Sequence, residues 1–295
     1  MRVRLLLTLL LLSFLATSTF AAVPRVPHVY VVVEENTSYS SVIGSSSMPY
    51  LNSLATKYGL ATNYYGNTHP SIGNYFMLTT GQIITNNDFT TSTYNVNNVV
   101  RQLMTAGKTW KVYAESLPSI GYIGGDRYPY IKHHNPFVYL SDVRNSTVQQ
   151  LNVVPFTQFS TDRTAGTTPN YSFIVPNAQH DAHDCPSSST CTTAQKLSAA
   201  DSWLKTNIGP LVSSASFQAN GDILIIVFDE GFKNDPTNGG AHVAWVVVSS
   251  KAKKGYRSGT FHQHQSTLKL MLKALGVTGY PGASASASDL GEMFP

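Results

Sequence analysis

Two apolar runs in this chain end in carboxylates, and this pattern restricts the fold more than any other feature of the sequence. HVYVVVEEN places a run of β-favouring residues directly before Glu35 and Asn36, and GDILIIVFDEG ends in the same way at Asp229 and Glu230. Charged groups are costly to bury unless something pairs with them. A buried strand that ends in such residues therefore predicts a metal ion or a charged ligand at its C-terminal tip.

The rest of the chain alternates between strand-like and helix-like runs. This pattern predicts the α/β class, with a mostly parallel central sheet sandwiched by helices. Ligands bind at the carboxyl ends of the strands in such sheets, where the two acidic strand ends would meet. The predicted strands are 28–36, 109–116, 171–177, 221–231 and 242–250, and the predicted helices are 48–59, 74–81, 96–108, 193–214 and 264–276.

The first 22 residues have the layout of a secretory signal peptide. A basic start at Arg2 and Arg4 precedes an apolar run, residues 5–16, and small residues follow. An uncleaved anchor is the alternative, but the run is shorter than the roughly 20 residues of a spanning helix. We therefore expect a secreted or periplasmic protein without a stable membrane anchor, and one domain over residues 23–295.

The charge pattern argues against a nucleic-acid partner. The formal net charge is +4, only 12% of the residues are charged, and two arginines of the total lie in the leader. The densest basic stretch, residues 251–257, is more typical of a solvated loop than of a nucleic-acid patch.

Two cysteines, Cys185 and Cys191, lie close together in DCPSSSTC. An exported protein meets oxidising conditions, so this spacing predicts a small disulfide loop. The alternative of a metal site is weaker, because two cysteines alone are too few ligands.

The acidic strand ends supply hard oxygen donors for a divalent cation. Oxygen donors favour magnesium, calcium or manganese, whereas added histidines favour zinc or iron. The alternative is a set of carboxylates in solvent at the edge of the sheet. Because both pairs, Glu35-Asn36 and Asp229-Glu230, follow Val- or Ile-rich runs, the metal interpretation is the stronger one.

Ser71 follows Pro70 and precedes a helix-like run. This position places its hydroxyl near a helix N-terminus, where backbone N–H groups favour an anion. A serine there is either a simple N-cap or, beside a metal, an activated nucleophile for phosphate. The residues alone leave both interpretations open.

Most of the nine histidines lie beside predicted strand ends. A lone histidine is more often structural, whereas the Asp and His cluster in HDAHD, residues 180–184, favours a metal or phosphate site. The histidines considered for the site are His69, His134, His180, His183, His242 and His264.

Several segments together resemble one known family. VVVEENTSYSSVIG, THPSIGNYFMLTTG, YIKHHNPFVYL, VPNAQHDAHDC and IVFDEG occur in the family's order within residues 28–278. The chain thereby resembles the phosphoesterase family of bacterial and fungal acid phosphatases and phosphocholine-type phospholipases C, which belongs to the alkaline phosphatase superfamily. The resemblance implies an alkaline-phosphatase-like fold.

The resemblance also implies roles for individual residues. Glu35, Asn36, Asp229 and Glu230 match metal-binding positions, and Ser71 matches a nucleophile that also contacts the metal. A histidine, His264 or His183, is expected to protonate the leaving group. The positions expected to bind the phosphate or a second metal are His69, His134, His180, Asp181 and His242.

We therefore expect a metal-dependent phosphomonoesterase that acts on a phosphate-ester substrate through a phosphoserine intermediate. One alternative is a phospholipase C, which needs an apolar entrance to the same site. The other is a secreted binding protein that holds metal or phosphate without turnover. The tyrosines that could line an apolar entrance, or equally pack on the surface, are Tyr64, Tyr65, Tyr122, Tyr128 and Tyr130.

Overall fold

The computed structural model describes residues 22–187 and 190–295, so the expected signal peptide lies outside the described residues except for Ala22. Within these described residues, ten strands form an eight-stranded sheet and a separate pair, β3 with β10. The strands are β1 (Val29–Glu34), β2 (Gly59–Ala61), β3 (Tyr64–Tyr65), β4 (Trp110–Ala114), β5 (Val153–Pro155), β6 (Tyr171–Val175), β7 (Ile223–Phe228), β8 (Trp245–Val248), β9 (Arg257–Ser258) and β10 (His262–Gln263).

The large sheet has the order β5-β4-β6-β1-β7-β8-β2-β9. The five strands from β5 to β7 are parallel to one another, and β8 is antiparallel to both β7 and β2. In the centre, Val29 of β1 is in register with Tyr171 of β6 and Ile223 of β7. The predicted mostly parallel sheet is therefore confirmed, with an antiparallel strand on one side.

Helices cover this sheet, as its apolar strands require. All six residues of β1 and of β7 are buried, so both faces of the central strands are covered. The helices are α1 (Tyr39–Val42), α2 (Pro49–Lys57), α3 (Ser71–Thr80), α4 (Val99–Thr105), α5 (Ser141–Arg144), α6 (Thr147–Gln150), α7 (Thr157–Thr164), α8 (Thr193–Trp203), α9 (Gly209–Val212), α10 (Ala215–Asn220) and α11 (His264–Ala274).

The predicted elements exist, but several bounds differ. Gly59, expected to end a helix, opens β2 instead. The predicted helix 193–214 ends as α8 at Trp203 and continues as a π-helical stretch and the short α9. Pro210 has no backbone N–H to donate, which is consistent with this break.

The composition of segment 282–289 suggests a flexible surface segment, and most of its residues are exposed. It begins with a 3₁₀ turn, Gly282–Ala285, in which Ser284 is fully buried. The backbone N–H of Ala283 donates to the carbonyl of Gly81, which ties this segment to the end of α3. Among the described residues, no helix is long and apolar enough to cross a membrane.

Candidate active site

The carboxyl ends of three adjacent strands meet at one edge of the sheet. Glu35 follows β1, Asp181 follows β6, and Asp229 follows β7. The backbone N–H of Glu35 donates to the carbonyl of Asp181 at 2.7 Å, and that of Asp229 donates to the carbonyl of Glu34 at 2.9 Å. Three acidic residues from distant parts of the chain are thereby brought together.

Ser71 is the first residue of α3, a helix that is buried over its whole length. Its Oγ atom donates a hydrogen bond to Oε2 of Glu35 at 3.0 Å. The next backbone N–H, that of Ile72, donates to Oδ1 of Asp88 at 3.0 Å. A carboxylate therefore already occupies the helix N-terminus, where an anion is stabilised.

Glu35 is completely buried, and three donors surround its carboxylate. Besides Ser71, the Asn36 amide donates to Oε2 at 3.0 Å and the Tyr75 hydroxyl donates to Oε1 at 2.6 Å. Burial, and then the negative charge of Asp229, raise the pKa of Glu35 well above its usual range.

Asp229 lies beside Glu35 and has one oxygen without a partner. Its Oδ1 atom accepts the backbone N–H groups of Asn36 at 3.1 Å and Glu230 at 2.6 Å, whereas Oδ2 is buried and unpaired. Asn36 has a φ of 48°, a conformation that asparagine tolerates better than most residues and that directs its N–H to Asp229. Burial raises the pKa of Asp229 to about 7.

Glu230 extends the acidic site toward the start of α3. Its Oε2 atom accepts a hydrogen bond from the Asn74 amide at 2.9 Å, and its Oε1 atom lies 3.0 Å from Nδ1 of His69. Burial, and then the charge of Asp229, raise the pKa of Glu230 to about 10.

His134 lies between two of these carboxylates. Its Nε2 atom is 3.4 Å from Oε1 of Glu35, and its Nδ1 atom is 3.2 Å from Oδ2 of Asp181. Burial lowers the pKa of His134 to about 3 and raises that of Asp181 to about 7. A neutral imidazole there gives these carboxylates no compensating charge.

We refer to Glu35, Asp181, Asp229 and Glu230 as the carboxylate cluster. No lysine or arginine within residues 22–187 and 190–295 forms an ion pair with any member. The unpaired Oδ2 of Asp229 and the raised pKa values fit a divalent cation chemically, because a cation would compensate the buried charge. In the described part of the chain, however, no three His, Cys, Asp or Glu side chains form a group that could hold a metal as they stand.

Two histidines considered for the site lie outside it. His180 is 3.0 Å from Oε1 of Glu115, so it pairs with a rim carboxylate and not with the cluster. His242 stacks between Tyr39 and Tyr65, with ring-centroid distances of 4.1 and 5.0 Å. Both residues therefore have structural partners away from Ser71.

The two candidates for the proton donor differ sharply in position. His264 is completely buried, with Nδ1 at 3.1 Å from the Tyr64 hydroxyl and Nε2 at 2.5 Å from the carbonyl of Asp229. Burial lowers its pKa to about 4. His183 is exposed, lines the same cleft as Ser71, and pairs with Asp184 at 2.7 Å.

A cleft with a volume of about 470 Å³ opens above Ser71. It includes two lysines and an aspartate that the sequence did not single out, because Asp88 and Lys233 lie on irregular segments and Lys196 is one of several polar residues of α8. The residues that line the cleft are Asn36, Thr37, Pro70, Ser71, Asp88, His133, Ala182, His183, Asp184, Thr193, Lys196, Glu230, Phe232 and Lys233.

The predicted disulfide is confirmed. Cys185 and Cys191 are bonded, with their Cα atoms 5.6 Å apart. The bond closes a short loop directly after His183 and Asp184, at one side of the cleft.

Comparison with known protein sequences identifies one family and relatives whose names denote phosphatases. A model of the Phosphoesterase family matches residues 45–278. The phosphatidylinositol-3-phosphatase of Mycobacterium tuberculosis is 28% identical over 274 residues, which are 92% of this chain and 84% of that protein. A probable acid phosphatase of Kluyveromyces lactis is 30% identical over 248 residues, but this chain covers only 56% of its length.

Solved structures show the same fold at low sequence identity. A protein of the alkaline phosphatase superfamily from Vibrio parahaemolyticus has a TM-score of 0.63 and 12% identity, covering 87% of this chain and 68% of that one. The lipoteichoic acid synthase LtaP of Listeria monocytogenes also has a TM-score of 0.63, with 11% identity over 90% of this chain and 76% of that one. The expected alkaline-phosphatase-like fold is therefore confirmed.

Proposed function

Because this chain belongs to the Phosphoesterase family, we propose that it hydrolyses phosphate monoesters as an acid-phosphatase-like enzyme with Ser71 as its nucleophile. The observation that carries this proposal is the position of Ser71. Its hydroxyl lies at a helix N-terminus, in the cleft, and on a buried carboxylate. These are three things that phosphoryl transfer to a serine requires: access, an anion site and a proton acceptor.

In the proposed reaction, each of these residues has its own role. Glu35 accepts the hydrogen bond of the Ser71 hydroxyl and directs its oxygen lone pair into the cleft. A phosphoryl oxygen takes the place of Asp88 at the backbone N–H of Ile72, and the helix N-terminus stabilises its charge. Ser71 attacks the phosphorus in line while its proton passes to Glu35, the bond from phosphorus to the ester oxygen breaks, and His183 protonates the departing alcohol. Water then gives a proton to His183 and attacks the phosphoserine, the bond from phosphorus to the Ser71 oxygen breaks, and Ser71 takes back its proton from Glu35 as phosphate is released.

We further propose that a divalent cation binds at the carboxylate cluster. Glu35, Asn36, Ser71, Asp229 and Glu230 are the residues that would hold it. When bound, a cation supplies a Lewis acid that lowers the pKa of a serine hydroxyl and offsets the charge of a phosphate oxygen. The unpaired Oδ2 atom of Asp229 supports this assignment.

The phosphatase interpretation is favoured over the phospholipase C interpretation. The cleft is lined by none of the five tyrosines that were candidates for an apolar entrance. Tyr64 and Tyr130 are fully buried, and Tyr64 instead binds Thr267 through its hydroxyl. The names of the mycobacterial and yeast relatives also denote phosphatases, which supports a monoester substrate.

We also propose that the protein is exported. The signal-peptide-like sequence of residues 1–22 and the disulfide between Cys185 and Cys191 support this proposal, because disulfides persist in oxidising compartments.

The test is hydrolysis of p-nitrophenyl phosphate between pH 4 and pH 9. Ser71→Ala should lower turnover by roughly 10³-fold or more, because no phosphoserine can form. Ser53→Ala, on an exposed position of α2, is the matched control and should keep full activity. Mass spectrometry after acid quenching should find the phosphate on Ser71. A fully active Ser71→Ala protein would contradict the proposal.

A further inference from the structure

A second arrangement of nucleophile, base and acid lies near the C-terminus, apart from the cleft. The Oγ atom of Ser288 is 3.2 Å from Nδ1 of His262. The Nε2 atom of the same ring is 2.7 Å from Oε1 of Glu292. A hydroxyl within reach of an imidazole that a carboxylate orients is the arrangement that activates a serine for acyl transfer.

Glu292 fixes the ring of His262 and remains charged. Its Oε1 atom also accepts the Ser258 hydroxyl at 2.9 Å, and the backbone N–H of Lys253 holds the neighbouring Met293 carbonyl at 2.8 Å. Burial alone would raise the pKa of Glu292, but the hydrogen bonds with His262, the backbone and Ser258, together with the charge of His262, outweigh it and the pKa is lowered. With Nε2–H donating to Glu292, Nδ1 of His262 is left as the base toward Ser288.

Ser288 is accessible, whereas His262 is not. The side chain of His262 has 0% exposure, while Ser288 is exposed at the edge of a cavity of about 610 Å³. Glu292 also lines this cavity, with a side chain that is 27% exposed, so the imidazole is the one group of the three that meets the cavity only through the Ser288 hydroxyl. The cavity is lined by Ala22, Thr260, Lys269, Lys273, Ala287, Ser288, Asp289 and Glu292.

The cavity suits a small ester better than a phosphate. Lys273 is paired with Asp289, and Lys269 donates to the carbonyls of Ala287 at 2.6 Å and Ala285 at 3.1 Å. The ammonium groups are thus already engaged, and their aliphatic stems form much of the wall.

Donors for a developing oxyanion are also present. Within the described residues, the backbone N–H groups of Ser288 and Asp289 donate to no other protein group. Backbone N–H groups at and next to a nucleophile are the usual donors to a tetrahedral intermediate.

We propose that Ser288, His262 and Glu292 form a second active site, which hydrolyses small carboxylic esters independently of the phosphate cleft. Ser288 Oγ bonds to the ester carbonyl carbon while Nδ1 of His262 takes the hydroxyl proton. The bond from carbon to the alcohol oxygen breaks, and the alcohol leaves with that proton. Water, deprotonated by His262, then attacks the acyl-serine, and the carboxylic acid and free Ser288 are released.

The experiment uses the full chain carrying Ser71→Ala, so that the phosphate nucleophile takes no part. A fluorophosphonate probe should label Ser288, as read by peptide mass spectrometry, and p-nitrophenyl acetate should be hydrolysed. Adding Ser288→Ala should remove the label and lower ester hydrolysis at least about 100-fold. Ser286→Ala is the matched control, because Ser286 is an exposed serine of the same segment that contacts the Ala283 carbonyl.

A second test measures the reactivity of a cysteine placed at position 288, and it does not depend on a loss of activity that misfolding could also cause. Ser288→Cys should react with iodoacetamide at least about 10-fold faster than Ser286→Cys, because His262 lowers the pKa of a neighbouring thiol. Equal alkylation rates, or equal labelling and ester hydrolysis with and without Ser288→Ala, would overturn the proposal. The three residues would then only fasten the C-terminal segment to β10.

Discussion

The hydroxyl oxygen of Ser71 lies 3.0 Å from the Oε2 atom of Glu35, although the two residues are 36 positions apart in the chain. A buried carboxylate with a raised pKa is a better proton acceptor than an ordinary glutamate, and it faces a hydroxyl at the start of a helix. This contact joins the proposed nucleophile to the carboxylate cluster, so a substitution of either residue should also change the behaviour of the other.

Glu35→Gln should separate the effect of this contact on turnover from its effect on the stability of the protein. The amide keeps the size of the side chain but removes the proton acceptor, so turnover should fall about 10²- to 10⁴-fold. The amide has only one acceptor oxygen, so it cannot accept all the hydrogen bonds that Ser71, Asn36 and Tyr75 donate to the two carboxylate oxygens, and the cation-free protein should unfold at a lower temperature. Kinetics and thermal unfolding in EDTA measure both effects. Asp142→Asn, in a surface ion pair, is the control. Unchanged turnover would show that Glu35 is only structural.

A divalent cation should raise the thermal midpoint of the protein. Binding to the folded state alone adds about 2.7 kcal/mol when the ligand is at 100 times its Kd. Midpoints measured in EDTA and then with magnesium, calcium, manganese or zinc should rise for at least one ion. Asp229→Asn should remove most of this rise, since it neutralises the residue with the unpaired oxygen. Identical midpoints in every solution would rule out the proposed cation site.

Asp88→Asn should strengthen binding of inorganic phosphate. The Asp88 carboxylate occupies the Ile72 N–H and repels an incoming anion, whereas an asparagine oxygen still accepts the same hydrogen bond. A unit charge at about 4 Å in water contributes about 1 kcal/mol, so the inhibition constant of phosphate should fall about fivefold. Asp126→Asn is the control, because Asp126 accepts the Lys132 N–H outside the cleft. An unchanged constant would mean that Asp88 only caps α3.

The contact of His180 with Glu115 should stabilise the protein at acidic pH. The hydrogen bond with Glu115 is the largest cause that raises the pKa of His180 above its usual value. Its contribution is therefore fully present below about pH 6.5 and is lost as the pH rises through the raised value. Glu115→Gln should thus cost more stability at pH 5 than at pH 9, by less than about 1 kcal/mol because the ring is part-exposed.

Urea unfolding at both pH values measures this difference. Asp142→Asn breaks an ion pair with Arg101, whose charge does not change between these pH values, so its cost should be the same at both. A cost for Glu115→Gln that is equal at both pH values would refute the assignment.

The sequence predicted those parts of the site that follow from periodicity. Runs such as VYVVVE are read as buried strands because they are continuously apolar, and parallel strands must bring their carboxyl ends together. The sequence therefore predicted that Glu35 and Asp229 lie at one edge of the sheet, and the structure places them there together with Asp181.

Side-chain direction was not predictable in the same way. His183 and His264 both lie beside strand or helix ends, but only the fold determines that one faces the cleft and the other packs on Tyr64. His180 pairs with a residue 65 positions away, and no local pattern encodes such a partner. Asp88 and Lys233 lie on irregular segments, where composition carries little information about position, and Lys196 is one of several polar residues of α8.

Because of the strand order of the sheet, enzymatic activity should return only when the long-range strand pairs have re-formed during refolding. β1 pairs with both β6 and β7, so Glu35, Asp181 and Asp229 meet only after contacts across more than a hundred residues have formed. Such long-range pairings form slowly, and partly folded species lack them. When the protein refolds after dilution from urea, hydrolysis of the phosphate ester should therefore return later than the circular dichroism signal of the helices. A truncated protein that lacks β7 should show no activity.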